Sequence, residues 1–219
     1  MLKIYGVYRS RATRNLWMAG EIGLDFEHIP VIQAYRLADP YAADAPLNTR
    51  TPSFMAVNPM GAIPTLEDNG LVLNESLAIT LYLAKKYGGD LGPKTIEEDA
   101  LMTQWSLFAA TEIESTALKI STQSAEGKLA TEAGREEAEV HARLLRRPFG
   151  VLEKHFEAND YAVGGRFTAA DVNMAEIVRY ASPYTVLMDA HPAVSAWLAR
   201  CQARPAFKAM WEKRLAEPA

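Results

Sequence analysis

The sequence predicts an α/β domain followed by an all-α domain, and three observations carry that prediction. Two short apolar, aromatic and β-branched runs, residues 2–7 and 26–32, flank a stretch over 12–21 with apolar residues at helical spacing. Asp68-Asn69-Gly70 separates two further short runs with the dipeptide that favours positive φ in a tight hairpin. After about Thr95 the chain reads as one amphipathic helix after another.

Taken in order, strand, helix and strand over residues 2–32 form a βαβ unit, whose crossover is right-handed and whose strands are parallel. Residues 33–50 are rich in Ala, Asp and Pro, weak in periodicity, and read as a long loop with the character of a lid. Thr65-Leu66-Glu67 and Leu71-Val72-Leu73 form the antiparallel hairpin, which runs straight into a helix opened by Glu75-Ser76 and continued by Leu77, Ile79, Leu81 and Leu83. The expectation is a mixed four-stranded sheet of βαβ-ββα order. Gly88 to Pro93 has the composition of a linker, so the domains are expected over 1–88 and 94–219.

In the second domain Thr95-Ile-Glu-Glu98 and Thr168-Ala-Ala-Asp171 are capping boxes. Between them lies a long pattern of Val140, Leu144, Leu145, Phe149, Leu152 and Phe156, in which Pro148 is expected to kink the helix. Helices over 192–203 and 206–215 close the domain.

Composition excludes several classes of function. With 23 Lys and Arg against 27 Asp and Glu the net charge is -4, which provides no overall field to gather nucleic acid or anionic lipid. No apolar run reaches the roughly 18 to 20 residues a membrane span needs, and the opening lacks the layout of a secretory signal, so a cytoplasmic protein is expected. The single Cys201 excludes an intrachain disulfide, a Cys-cluster metal site and a CxxC redox pair, and reads as a small core residue. The four histidines show no metal-ligand spacing, and nucleotide and acyl-transfer signatures are missing. No metal and no organic prosthetic group is expected.

Two segments invite a ligand. In Asn58-Pro59-Met60-Gly61-Ala62-Ile63-Pro64-Thr65-Leu66 a proline precedes a strand, and a cis Ile63-Pro64 bond leaves the Ile63 backbone as an edge for an extended peptide. The helix start at Glu75-Ser76 offers unpaired amide donors, a hydroxyl and a dipole end to a carboxylate, while Glu75 accepts from an ammonium. On spacing alone, Ser76 reads first as a simple helix cap.

The whole order of βαβ unit, NPxGxIPxL segment, hairpin, Glu-Ser helix start, helical half and FTAAD resembles a cytosolic glutathione transferase of a serine-type, bacterial-like kind. Residues 51–66, TPSFMAVNPMGAIPTL, resemble the family's SPEFLALNPxGKVPxL, and Val163-Gly-Gly-Arg-Phe-Thr-Ala-Ala-Asp171 resembles its folding motif. The resemblance implies a thioredoxin-like first domain that binds glutathione as co-substrate. Ile63 would pair with its cysteinyl unit beside Pro64, Glu75 and Ser76 would hold the γ-glutamyl group, and Arg50 would face the glycyl carboxylate. It also implies a homodimer and an electrophile pocket between the domains, with Trp105, Phe108, Glu112 and Tyr180 as its candidate lining.

The catalytic group must activate a thiol. A free thiol of pKa about 8.5 is only about 3% ionised at pH 7, and moving it to about 6.5 takes roughly 2.7 kcal/mol. Ser10, between strand and helix in Tyr8-Arg-Ser10-Arg-Ala-Thr-Arg14, resembles the serine of the serine-type classes; Tyr5 and Thr13 are the alternatives. Arg9, Arg11 and Arg14 either favour an anionic sulfur or form a solvated basic face. The expected reaction is addition of the glutathione thiolate to a small hydrophobic electrophile. Isomerase, dehalogenase and peroxidase chemistry start from the same thiolate, and a non-catalytic interaction protein on the same fold is the rival from another class.

Overall fold

A computed structural model describes residues 1–218 and divides by contact into two units, Met1–Gly89 joined by the stretch from Pro205, and Asp90–Arg204. In the first unit, β1 (Lys3–Tyr5) and β2 (Glu27–Ile29) pair in parallel through α1 (Thr13–Ile22). β3 (Thr65–Asp68) pairs antiparallel with both β1 and β4 (Leu71–Asn74), giving the order β2-β1-β3-β4. Asn69 at φ 50° and Gly70 at φ 88° supply the two positive angles of the hairpin turn. This is the mixed βαβ-ββα sheet that the pattern predicts.

Ile4 and Leu66 are opposite one another in the ladder and fully buried, so alternation along β1 sends Tyr5 to the other face. That face is filled by Tyr5, Val31 and Phe54 with Ile63 packed against them. α1 packs against α3 (Ser76–Tyr87) and α10 (Pro205–Ala216), where Trp17 meets Phe207 edge to face at 4.9 Å. A six-residue helix, α2 (Pro52–Val57), is opened by its proline. It was not expected as a helix, because six residues with the single buried Phe54 carry no 3.6-residue period.

The 33–50 stretch is tied at its base. The buried Asn48 donates through Nδ2 to the carbonyls of Pro40 and Pro46 at 3.0 and 2.9 Å and accepts from the Arg50 amide at 2.9 Å. Ile32 and Asn48 form a parallel bridge, and a 3₁₀ turn covers Ala34–Arg36.

The second unit holds α4 (Ile96–Phe108), α5 (Ser115–Ala125), α6 (Glu132–Ala158), α7 (Ala169–Val178), α8 (Thr185–Asp189) and α9 (Pro192–Gln202). Every residue of α7 is buried, so the other helices pack around it. Its N-terminus is closed by the capping box of Thr168 and Asp171. Asp171, fully buried, also accepts from the Ala162 amide and from Trp197 Nε1, both at 2.9 Å. Burial pushes the Asp171 carboxyl up, against the opposing effect of these donors.

Two details differ from the expectation. The last helix groups with the sheet rather than with the helical unit, since its Phe207 and Met210 are buried on the α1 side. Val140 and Leu144, expected in the apolar stripe of α6, are 53% and 64% exposed.

Candidate active site

The site grows from the end of β1. Gly6 has φ +141°, and a Cβ there would stand 2.8 Å from that of Ala12 and 3.5 Å from that of Ile63. Only glycine allows the chain to turn there beneath the segment that leads into β3. The turn that follows carries Ser10, half-buried, whose Oγ donates to the Val7 carbonyl at 2.6 Å and accepts from the Ala12 amide at 3.0 Å. Three residues later α1 begins, with Ala12 at its N-cap and no side chain capping it.

The two alternatives to Ser10 have other surroundings. Tyr5 lies 6.0 Å from the Phe54 ring in the core, where burial, and then Glu67 beside it, push its hydroxyl up to about 12. Thr13 is fully buried and donates to the Ser10 carbonyl at 3.0 Å.

The three arginines do not share one environment. Arg11 is exposed, whereas Arg9 is half-buried and donates through Nε to the Glu217 carbonyl at 2.9 Å. Arg14 is 1% exposed and donates through Nη1 to Ser76 Oγ at 2.8 Å. Asn15 adds a bond from Nδ2 to the Ser76 carbonyl at 2.8 Å. Arg14 thus places a buried guanidinium behind the first residue of α3. Sequence reasoning missed it as a particular contact; the signal is that residues 13–19 read as one helix turn after another with Leu16, Trp17 and Ala19 on it, which leaves Arg14 little open surface.

At that helix start Glu75 is exposed with φ 71° and ψ 110°, a conformation that costs a non-glycine residue about 1 to 3 kcal/mol. Such strain is held by its surroundings, here by the buried Ser76 with its Arg14 and Asn15 bonds and by the Ile79 amide donating to the Glu75 carbonyl at 2.9 Å.

The facing segment is organised by Asn58. Its Nδ2 donates to the Ala62 carbonyl at 2.8 Å and to Thr65 Oγ1 at 3.0 Å, and its Oδ1 accepts from the Met60 amide at 3.0 Å. The Ile63-Pro64 bond is cis, with Pro64 buried and Ile63 half-buried against the Tyr5 cluster. Gly61 has φ +59°, and a Cβ on it would lie 3.2 Å from Arg50 Nη1, so the exposed Arg50 guanidinium lies over this turn.

Ser10, Ile63, Ser76 and Arg50 are therefore linked through contacts within the first unit: Gly6 to Ile63, the Ser10 turn to Arg14, Arg14 to Ser76, and Gly61 to Arg50. The chemistry on offer is an amide and hydroxyl donor set at the α3 start, a carboxylate at Glu75, a cation at Arg50 and a hydroxyl at Ser10. That set suits an extended, zwitterionic peptide.

In the helical unit, Trp105 and Phe108 are in contact edge to face at 5.6 Å, with the His155 ring 4.7 Å from Trp105. Tyr180 lies under the Arg179 guanidinium at 4.7 Å. Glu112 belongs to a six-residue π-helical segment, Ala109–Glu114, that joins α4 to α5, and it pairs with Arg147. Among the described residues no cluster of His, Cys, Asp or Glu could hold a metal ion, and no helix is long and apolar enough to cross a membrane.

A mixed sheet of this order together with a helical unit defines a thioredoxin-like domain with an added α domain. Comparison with known proteins narrows that class. Residues 8–86 match the glutathione S-transferase N-terminal domain and residues 100–205 its C-terminal domain. Glutathione S-transferase 3 of Zea mays is 34% identical, over 94% of this chain and 91% of its own length. The crystal structure of glutathione transferase F7 from Populus trichocarpa superposes with a TM-score of 0.79 at 28% identity, over 98% of this chain and 99% of that one. Glutathione S-transferase I from mais, solved with an atrazine glutathione conjugate, gives 0.81 at 25% identity over 99% of both chains. The chain therefore belongs to the glutathione S-transferase family, and it is an enzyme of glutathione conjugation.

Proposed function

We propose that this enzyme binds glutathione along the Ile63 edge and that Ser10 donates a hydrogen bond to its sulfur, holding it as the thiolate for attack on a small hydrophobic electrophile. Glu75 and Ser76 receive the γ-glutamyl head: the carboxylate at the α3 N-terminus with Arg14 behind it, the ammonium on Glu75. Pro64 shapes the edge, and Arg50 meets the glycyl carboxylate.

One observation carries this reading. The Arg14–Ser76 bond ties the first turn of α1, four residues past Ser10, to the start of α3, which supports one small peptide spanning the two. Ser10 must turn its hydroxyl from Val7 to the sulfur, giving up a neutral bond worth about 1 kcal/mol for one to an anion worth about 1.5 to 3. The N-terminus of α1 contributes a further 0.3 to 1 kcal/mol or so, and the two together approach the roughly 2.7 kcal/mol required.

The test is an ultraviolet titration of the thiolate of bound glutathione in the native enzyme and in Ser10→Ala, Tyr5→Phe and Thr13→Ala. The expected result is a thiolate band well below the pH at which free glutathione ionises, lost only in Ser10→Ala. A band that survives Ser10→Ala and disappears in one of the other two transfers the role to that residue.

Trp105, Phe108, Glu112 and Tyr180 are the proposed electrophile contacts from the helical unit, and the reaction asks for no tightly bound cofactor. The same reading makes the enzyme a cytoplasmic homodimer without nucleic-acid or membrane partners. Exposed apolar side chains in both units, Leu71 and Val72 on the hairpin and Val140 and Leu144 on α6, support the dimer.

A further inference from the structure

β1 ends at Tyr5, so the amides of Tyr8 and Arg9 lie beyond the sheet ladder and need other acceptors. Both find the same side chain. Glu217, just past the end of α10, takes the Tyr8 amide on Oε1 at 2.7 Å and the Arg9 amide on Oε2 at 2.8 Å. Arg214 Nη1 donates to the Tyr8 carbonyl at 2.6 Å, and Arg9 Nε returns a bond to the Glu217 carbonyl at 2.9 Å. The grip is closed into a circuit by Arg36, which donates to the Pro218 carbonyl at 2.9 Å and to Gln33 Oε1 at 3.4 Å, and by Gln33, which donates to the Arg9 carbonyl at 3.3 Å. The Lys213 ammonium stands 5.8 Å over the Tyr8 ring.

Ser10 is the next residue along, and its hydroxyl bonds to Val7, the residue just before the gripped pair. A turn with only local bonds of its own would let Ser10 Oγ wander, whereas a carboxylate on two consecutive amides is a two-point, charge-assisted restraint. A donor displaced by about an ångström loses most of its effect on a developing anion.

We infer that Glu217, with Arg214, is a positioning element for the thiol-activating turn: the residues after α10 reach back some 200 positions to hold Ser10 at the geometry from which it meets the glutathione sulfur. Glu217 touches neither glutathione nor electrophile in this scheme and acts only through the Tyr8–Ser10 backbone. The inference rests on the proposed role of Ser10.

The experiment compares native enzyme, Glu217→Ala, Glu217→Gln, Ser10→Ala and the Glu217→Ala/Ser10→Ala pair, all as the full chain. Three readouts are taken: the titration of bound glutathione thiolate, kcat and KM toward glutathione with chlorodinitrobenzene as probe electrophile, and amide exchange over residues 7–10. In Glu217→Ala the bound thiol is expected to titrate about one pH unit higher. kcat at pH 6.5 falls about tenfold, the glutathione KM stays within twofold, and exchange over 7–10 rises at least tenfold. Glu217→Gln, which keeps one acceptor, falls between, and carries the test should the alanine variant fold poorly. The double variant adds less than the sum of its parts, because both act on one bond.

An unmoved thiol titration in the Glu217 variants, with a raised one in Ser10→Ala, overturns the inference and leaves the Ser10 role standing. A thiol unmoved in Ser10→Ala removes that role, and the inference falls with it. A uniform loss of stability with kcat and thiol titration unchanged reduces Glu217 to a structural tie.

Discussion

Ser10, Arg14 and Glu75 are each held in a state that an isolated residue would not choose. Glu75 is the clearest case, a non-glycine residue held at φ 71°. Glu75→Gly removes the strain and is expected to raise stability by about 1 kcal/mol after the cost of glycine's extra freedom in the unfolded chain. The same change should weaken glutathione binding at least tenfold, read by calorimetry. Stability and affinity moving together would mean that the conformation serves folding. Arg14 was legible only as one of three nearby arginines. Which of them turns inward depends on the exact phase of α1 against α3, and that phase comes from Trp17, Leu16 and Asn15 finding their partners across the unit. Tyr5 illustrates the opposite limit: its position on a short strand is readable, but the choice of face, and with it a hydroxyl pushed up to about 12, follows from the register of β1 against β3.

At the scale of the element, caps and ion pairs give sharp expectations. Asp171 accepts four donors from a fully buried position, two on each oxygen. Asp171→Asn turns an amide group toward one of these pairs of donors, and should cost about 3 kcal/mol, measured by urea unfolding. Glu98, one turn into α4, is held by the Arg166 guanidinium through bonds of 2.9 and 2.6 Å, and next by the Lys94 amide at 2.8 Å. These lower its carboxyl to about 2. A carboxyl depressed in the folded state contributes stability that is complete above its unfolded value of about 4.3 and is lost as pH falls toward about 2. Glu98→Gln should therefore flatten the acid limb of stability over that window and leave the slope near neutrality unchanged, measured as unfolding midpoints from pH 6 to 2.5. The Thr168–Asp171 capping box was plain in Thr168-Ala-Ala-Asp171, because a cap is written in four consecutive residues; at Thr95-Ile-Glu-Glu98 half of the expected box forms, Thr95 Oγ1 accepting from the Glu98 amide while the Glu98 carboxylate takes the Lys94 amide. α2 was not, since a single buried phenylalanine in six residues sets no period.

For the whole molecule, α6 carries the test of assembly. Val140 and Leu144 complete an apolar pattern along the helix yet face outward in the single chain. Light scattering on an eluting peak should give twice the 24.2 kDa chain mass, and Leu144→Glu should shift the population toward one chain at micromolar concentration. A native chain that elutes as a monomer counts against the proposed dimer. At the same scale, the last helix looked like one more member of the helical domain, because an amphipathic pattern states that a face is buried and not against what. In the folded chain that face is given by Phe207 and Met210 to α1, and this is what carries Glu217 back to the Ser10 turn.

From the sequence alone came the α/β plus all-α order, the sheet's parallel and antiparallel pairings, the hairpin and the Thr168–Asp171 capping box. Each depends on residues within a few positions of one another, where periodicity, turn chemistry and motif spacing act. Tertiary structure alone decided the inward turn of Arg14, the face taken by Tyr5, the unit to which α10 belongs and the grip of Glu217 on Tyr8 and Arg9. Those outcomes join residues far apart in the chain, and they are set by which buried surfaces and unpaired amides meet when the elements pack, a condition that no local pattern encodes.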